Sequence, residues 1–362
     1  MKPFLKFDIQ LQRNDFFLNI KAETGNGITG VYGPSGHGKT TLLNAISGLV
    51  KPRSGYIIIN GNTVFDSTQK INVPVKNRKA GFVFQDGRLF PHLSVKQNLK
   101  YGIKKQTSDA ITFAEVVEIL NIEPLLHKKP SECSGGEKQR IAIGRSLLGG
   151  AQILMMDEPF SAVDVNLRNN IIPFLTRINQ RFQIPMLIVS HDLPDLLSLT
   201  NNLLLLKNGK LKALGKFQDL ILDESNVDVM KDAGLYNVFN LTAVEVYPDK
   251  NMVLLNSNSH DFQVQALCQP AIEEMKTGRH TKVLIRPEDV SIALTPVDQI
   301  SLRNQIEGTI EKIFSKDGFW FCLVDAGEKI LVEITETSGK NMSLEPGKKV
   351  WCLFKSAALK IF

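Results

Sequence analysis

Residues 33–40 read Gly33-Pro-Ser-Gly-His-Gly38-Lys39-Thr40, a full match to the pattern GxxxxGK[ST]. The run before it, Gly27–Gly33, is short, apolar and closed by glycine, and Lys39–Leu49 follows with helical spacing. A phosphate-binding loop needs this strand–loop–helix setting, and a chance glycine-rich loop would lack it. The glycines let backbone N–H groups converge on phosphate oxygens, and the positive end of the helix adds to them. Gly33, Pro34, Ser35, Gly36, His37, Gly38, Lys39, Thr40 and Thr41 are the expected nucleotide contacts. Lys39 is expected to reach the β and γ phosphates of ATP, and the Thr40 hydroxyl to bind Mg²⁺.

Outward from this loop, helical and strand signals alternate up to about residue 222. Tyr56–Ile59, Gly81–Phe84, Ile153–Met156, Met186–Val189 and Leu203–Leu206 are short apolar runs, the pattern of strands buried on both faces. Helical spacing covers Ile111–Leu120, Glu137–Leu148, Asn166–Arg181 and Leu193–Leu199. Such alternation predicts a wound α/β core with a largely parallel sheet. The polar, helical stretch Lys96–Lys129 interrupts it, so an inserted helical subdomain is expected over about 86–150. The domain that carries the phosphate loop is thus expected over 1–223 and a linker over 224–240. From 241 to 362 short β-branched runs alternate with turns such as Asp317-Gly318 and Pro346-Gly347, predicting a small all-β barrel.

Ile153-Leu-Met-Met-Asp157-Glu158 supplies the second half of a hydrolytic site. A carboxylate at the end of a buried strand can hold Mg²⁺, the role expected of Asp157. Glu158 beside it is placed to orient or deprotonate the attacking water. Ser134-Gly-Gly-Glu-Lys-Gln-Arg140 opens a helix, where the Ser134 hydroxyl and the backbone N–H groups of Gly135 and Gly136 can meet phosphate.

Composition sets bounds on these readings. Apolar residues make up 43% and charged residues 22% of 362, an ordinary globular balance that leaves room for two or three domains. The longest unbroken aliphatic runs are four residues, far short of the ~20 that a spanning helix needs. Charges at Lys6 and Asp8 interrupt the beginning of the sequence, so no secretory leader is expected. Cys133, Cys268, Cys322 and Cys352 never form CxxC and are expected to be reduced thiols. Residues 1–240 carry 29 Lys/Arg against 21 Asp/Glu, and residues 241–362 carry 14 against 16. That mild basic excess suits phosphate ligands or an anionic membrane face and is too weak for nucleic acid.

The motifs together resemble the ABC ATPase family. The helix-opening Cys133-Ser-Gly-Gly-Glu137 is similar to its Leu-Ser-Gly-Gly-Gln signature, with Cys for Leu and Glu for Gln. The resemblance implies that Gln85 touches Mg²⁺ and the lytic water, and that Ser161-Ala-Val-Asp164 places Asp164 at the nucleotide. His191 would contact the γ-phosphate. An aromatic residue that stacks on adenine is expected upstream, and Phe16 and Phe17 are both near enough. The family logic also implies a homodimer that sandwiches two ATP molecules, since this chain has one phosphate loop and one signature.

A separate cassette with a β-rich C-terminal domain resembles bacterial importer ATPases. Ser301-Leu-Arg303-Asn304, followed by Ile306-Glu-Gly308-Thr-Ile310, is similar to the Mop domain, a barrel that binds molybdate or tungstate, over about 291–362. Lys355-Ser356 resembles its second anion-contacting segment. Hydroxyls, N–H groups and a cation suit a tetrahedral dianion, so Ser301, Arg303, Asn304, Lys355 and Ser356 are candidate oxyanion contacts. Gln85–His92 resembles the coupling loop of molybdate importer ATPases. The implied partners are two transmembrane permease subunits and, through them, a periplasmic or extracellular molybdate-binding protein. The implied place is the cytoplasmic face of the membrane. Importers of sulfate, ferric iron or sugars are the nearest alternatives; a non-transport ABC ATPase is a more distant one.

Overall fold

The computed structural model describes residues 3–103, 111–160, 165–221, 224–226, 235–257, 262–268 and 275–362. The chain forms two compact units, Met1–Ala233 and Gly234–Phe362. No helix among the described residues is long and apolar enough to cross a membrane.

An eleven-stranded sheet organises the first unit. Its parallel half runs Asn202–Lys207, Ile28–Tyr32, Met186–Val189, Ile153–Asp157, Ala80–Val83 in spatial order. These strands come from the predicted apolar runs, and Ile28–Tyr32 and Met186–Val189 are buried along their whole length. Tyr56–Ile59 differs. It lies in Ser54–Ile59, which pairs antiparallel with Leu5–Arg13, and only Ile57 and Ile59 are buried. An antiparallel strand covered on one face buries alternate residues, although isoleucines here occupy both faces.

The helix Lys39–Ser47 lays Leu42, Leu43, Ala45 and Ile46 into the core beneath the sheet. Val95–Lys100, Phe113–Ile119 and Gly135–Leu148 form the helical subdomain. Their close approach depends on Gly144, where a Cβ would stand 2.9–3.1 Å from Leu99, Leu120 and Val116. The helix Val165–Phe182 covers the stretch expected to be helical at Asn166–Arg181.

The second unit is β-rich as expected, and the expected barrel takes the form of two five-stranded sheets. One runs Gln263–Leu267, Met252–Asn256, Asn237–Tyr247, His280–Ile285, Lys360–Ile361; the other runs Ser291–Ala293, Lys349–Phe354, Asn304–Lys316, Phe319–Asp325, Lys329–Thr335. All pairings are antiparallel. One apolar core lies between them and includes Phe239, Phe262, Ile310, Val324, Val350 and Phe354. The strand Asn237–Tyr247 takes in the last residues of the segment read as a linker, because Asn237, Val238, Phe239 and Leu241 are buried there. The four cysteines are free and buried.

Candidate functional site

The parallel strands end at one edge, and the chemistry collects there. Val83 pairs with Met156, Asp157 with Val189, and Val31 with Val189. This register carries Gln85, Glu158, His191 and Gly33 to the same carboxyl edge, where open α/β sheets bind ligands. The loop can turn there because Gly36 and Gly38 adopt φ of +81° and +102°. Gly33 has a different reason: a Cβ would stand 2.1 Å from the Leu206 carbonyl oxygen.

Lys39, only 7% exposed, donates from Nζ to the carbonyls of Gly33 (2.6 Å) and Pro34 (3.0 Å). Burial lowers its pKa, and the charges of Glu158 and Asp157 oppose that shift. The Thr40 hydroxyl donates to Asp157 Oδ1 at 3.0 Å. Burial pushes the Asp157 carboxyl up; the Thr40 bond and the Lys39 charge pull it back, while Glu158 adds to the rise. Glu158 sits at φ +51°, unusual for a residue with a side chain. Its Oε2 accepts from the His191 backbone N–H (3.3 Å) and lies 2.7 Å from His191 Nδ1. The helix that follows, Leu193–Leu199, is capped by Asp192 and fixes where His191 stands. A loop of N–H groups, a buried ammonium and two carboxylates can hold a polyphosphate and place a water against it.

The family model described as "ABC transporter" matches residues 18–161, and that of the "TOBE domain" matches residues 300–361. The Molybdenum import ATP-binding protein ModC of Paramagnetospirillum magneticum (strain AMB-1) is 34% identical over 359 residues, covering 98% of this chain and 97% of that protein. The protein of the same name from Escherichia coli K12 is 34% identical over 335 residues, covering 92% and 93%. The chain belongs to the ABC transporter ATP-binding family. A crystal structure of a nucleotide-free ATP-binding cassette from an ABC transporter shares the fold, with TM-score 0.53 and 22% identity over 63% of this chain and 98% of that one.

In this ABC ATPase Glu137 has a local structural role. Ser134 caps the helix Gly135–Leu148, its hydroxyl accepting from the Glu137 N–H at 3.3 Å. Glu137 Oε2 in turn accepts from the Ser134 N–H at 2.7 Å, completing a capping box. Ser134 and Gly135 are exposed and Gly136 is buried. Gln85 is exposed just beyond the strand Ala80–Val83. Ser161–Asp164 lies outside the described residues, so Asp164 has no structural account.

Phe16 and Phe17, the two candidates for the adenine contact, open the strand Phe16–Thr24. Phe17 is 41% exposed. Phe16 packs against the core, and its ring lies over the phosphate loop, 2.6 Å from where a Gly38 Cβ would be. Sequence reasoning also missed the Asn208-Gly209 turn. The Asn208 N–H donates to His37 Nδ1 (3.2 Å), and the Gly209 N–H donates to the His37 carbonyl (3.1 Å).

The candidate oxyanion residues fare unequally. Asn304 is 4% exposed, and its side chain is occupied within the fold. Its Oδ1 accepts from the Gln265 N–H (2.7 Å), and its Nδ2 donates to the carbonyls of Gln265 (3.0 Å) and Phe354 (3.5 Å). Both amide hydrogens are used, so its side chain has no donor left for an anion. Ser301, Arg303 and Lys355 are exposed. Ser356 is buried, and its Oγ has no hydrogen-bond partner among the described residues.

Proposed function

We infer that this chain is the ATP-hydrolysing subunit of an importer for molybdate or tungstate. The observation that carries this reading is likeness along 98% of the chain to a molybdenum import ATP-binding protein, the β-rich unit included. Glu158 acts as the base toward the attacking water, held by His191; Lys39 and the loop N–H groups take the phosphates. Thr40 and Asp157, 3.0 Å apart and both hard oxygen donors, fit Mg²⁺ together with phosphate oxygens, and Gln85 stands at the same edge. When bound, the ion supplies positive charge between the phosphates and the carboxylates.

With one phosphate loop and one signature per chain, the working unit is a homodimer in which Ser134–Gly136 of each copy faces the nucleotide of the other. A membrane permease docks beside the Gln85 loop. A groove of about 390 Å³ opens there, lined by Val75, Phe84, Arg88, Phe90, Tyr101 and Arg145 among others. Arg88 lies 3.8 Å over Phe84, Arg145 lies 5.3 Å over Phe90, and Tyr101 is 66% exposed. Apolar rings edged by cations suit a short helix carrying an acid. The chain would then work at the cytoplasmic face of the membrane.

In the second unit, Arg303, Lys355 and the Ser356 hydroxyl are the oxyanion contacts, with Ser301 beside them. The test is uptake in vesicles holding the ATPase with its permease and binding protein. Molybdate should stimulate ATP hydrolysis and be competed by tungstate. Stimulation by sulfate, ferric iron or a sugar instead would overturn the substrate assignment while leaving the ATPase reading intact.

A further inference from the structure

The run Lys76-Asn77-Arg78-Lys79 carries three cations, and the fold treats one of them differently. Lys76 and Lys79 are exposed, whereas Arg78 is only 2% exposed and forms no ion pair among the described residues. Burial lowers its pKa. A buried charge without a carboxylate beside it is costly, so its surroundings have to offset that cost.

What surrounds Arg78 is the back end of the phosphate-loop helix. Lys39–Ser47 stops at Gly48, φ +86°, and the last carbonyls of a helix lack intrahelical donors. Arg78 Nη1 donates to two of them, Ala45 (3.1 Å) and Ile46 (2.9 Å). The partial negative charge of the helix end thus serves the guanidinium in place of a carboxylate. The other two nitrogens reach away from the helix: Nε donates to the Val73 carbonyl (2.9 Å) and Nη2 to Asn72 Oδ1 (3.0 Å). A Cβ on Gly48 would stand 2.6 Å from Nε and 2.7 Å from Cζ, so the group is also closely covered. One planar fork holds two pieces of chain together.

The second piece leads straight to the site. Arg78 stands two positions before the strand Ala80–Val83, and Gln85 lies just beyond that strand. The Lys79 carbonyl accepts from the Gln152 N–H (2.7 Å), and Ala80 pairs with Ile153, where the strand to Asp157 begins. The front of the helix carries Lys39 and Thr40, and Thr40 meets Asp157 at 3.0 Å. The helix is therefore fastened to this pair of strands at both ends, by Thr40 at the site and by Arg78 ~13 Å behind it along nine residues. A tilt or slide of the helix would carry Lys39 and Thr40 away from Gln85 and Asp157 while leaving the N–H groups of the loop able to bind phosphate.

We propose that Arg78 is a positioning residue for ATP hydrolysis: it locks the phosphate-loop helix to the strands that carry Gln85 and Asp157, and so sets Lys39 and Thr40 against them. This rests on the roles given above to those four residues. Loss of the lock shows in kcat more than in KM, because misplacement affects the reacting geometry more than the grip on phosphate.

Steady-state ATP hydrolysis by the full chain tests it, with thermal melts to check that each variant is folded at the assay temperature. Arg78→Lys keeps the charge and loses the fork, and one nitrogen cannot serve the helix end together with Val73 and Asn72. Its kcat should fall ~10–100-fold, with KM for ATP within about threefold of wild type. Asn72→Ala removes a single acceptor on an exposed residue and should lower kcat in the same way by less. A folded Arg78→Lys that keeps wild-type kcat and only melts lower, or that raises KM as much as it lowers kcat, overturns the proposal. If Arg78→Lys does not fold, Asn72→Ala decides, and an unchanged kcat there overturns it. Lys39→Ala keeps the two readings apart: hydrolysis at the wild-type rate in that variant would remove the site assignment itself, whatever Arg78 does.

Discussion

Replacing Asn304 by alanine removes the clamp between the two sheets of the second unit. Three hydrogen bonds disappear, two of them to Gln265. The Gln265 N–H and carbonyl would then have no side-chain partner, and a polar group left unsatisfied costs ~1–3 kcal/mol when buried. Gln265 is half-buried on an edge strand, so water repairs part of the loss. The expected cost is about 2–4 kcal/mol. Asn237→Ala breaks the mirror-image clamp on Leu331, bonded at 2.6 and 2.9 Å. Leu331 is 1% exposed, so water cannot compensate there and this variant should be the less stable of the two. Both tryptophans, Trp320 and Trp351, lie in the second unit, so urea unfolding followed by their fluorescence reports on that unit. A loss below about 1 kcal/mol in both variants, or Asn304→Ala the weaker of the pair, would refute the clamp argument.

Three further outcomes follow from the ATPase site and its signature helix. Glu158→Gln should still bind ATP while kcat falls ~10²–10⁴-fold, measured as phosphate release at saturating ATP; an unchanged kcat removes Glu158 as base. Burial raises the Asp157 carboxyl, so its ionised form costs the fold stability above the unfolded value, and the deficit fades as the pH falls through the raised folded value. Asp157→Asn should therefore melt higher than wild type at neutral pH, with the gap closing toward pH ~4, and should lose Mg²⁺-dependent hydrolysis; a variant that melts lower at neutral pH contradicts this. Glu137→Ala opens the capping box and should cost about 1 kcal/mol in thermal unfolding, whereas Glu137→Gln, able to accept the same Ser134 N–H, should cost little.

The nucleotide half was legible because its chemistry is local. Eight residues fix the loop, and runs such as Ile153–Met156 tell the chain's strands apart by unbroken burial. What alternation could not supply was the neighbour across a face. It set Phe16 on the same side as Leu18 and Ile20, yet nothing in the sequence says that Gly38 lies under that ring. Asn304 illustrates the same limit from the opposite direction. Its place in Ser301–Asn304 suits an anion, but its amide is engaged by Gln265, 39 positions away.

Consecutive carboxylates in a strand would point to opposite faces of the sheet, one of them away from the nucleotide. Asp157 ends its strand, and Glu158 turns at φ +51°, so the two acids stay at one edge and divide the work. Asp157 meets Thr40 from the phosphate-loop helix, and Glu158 meets His191 from the neighbouring strand. That turn costs ~1–3 kcal/mol in a residue with a side chain. Asp157 is moreover held against burial, beside a Lys39 whose own charge is disfavoured for the same reason. Each of these costs would vanish in a chain selected for stability alone. They persist together at the one edge where Gly33, Glu158 and His191 converge, which is where the fold must hold charge apart from water until phosphate and a divalent cation complete the balance.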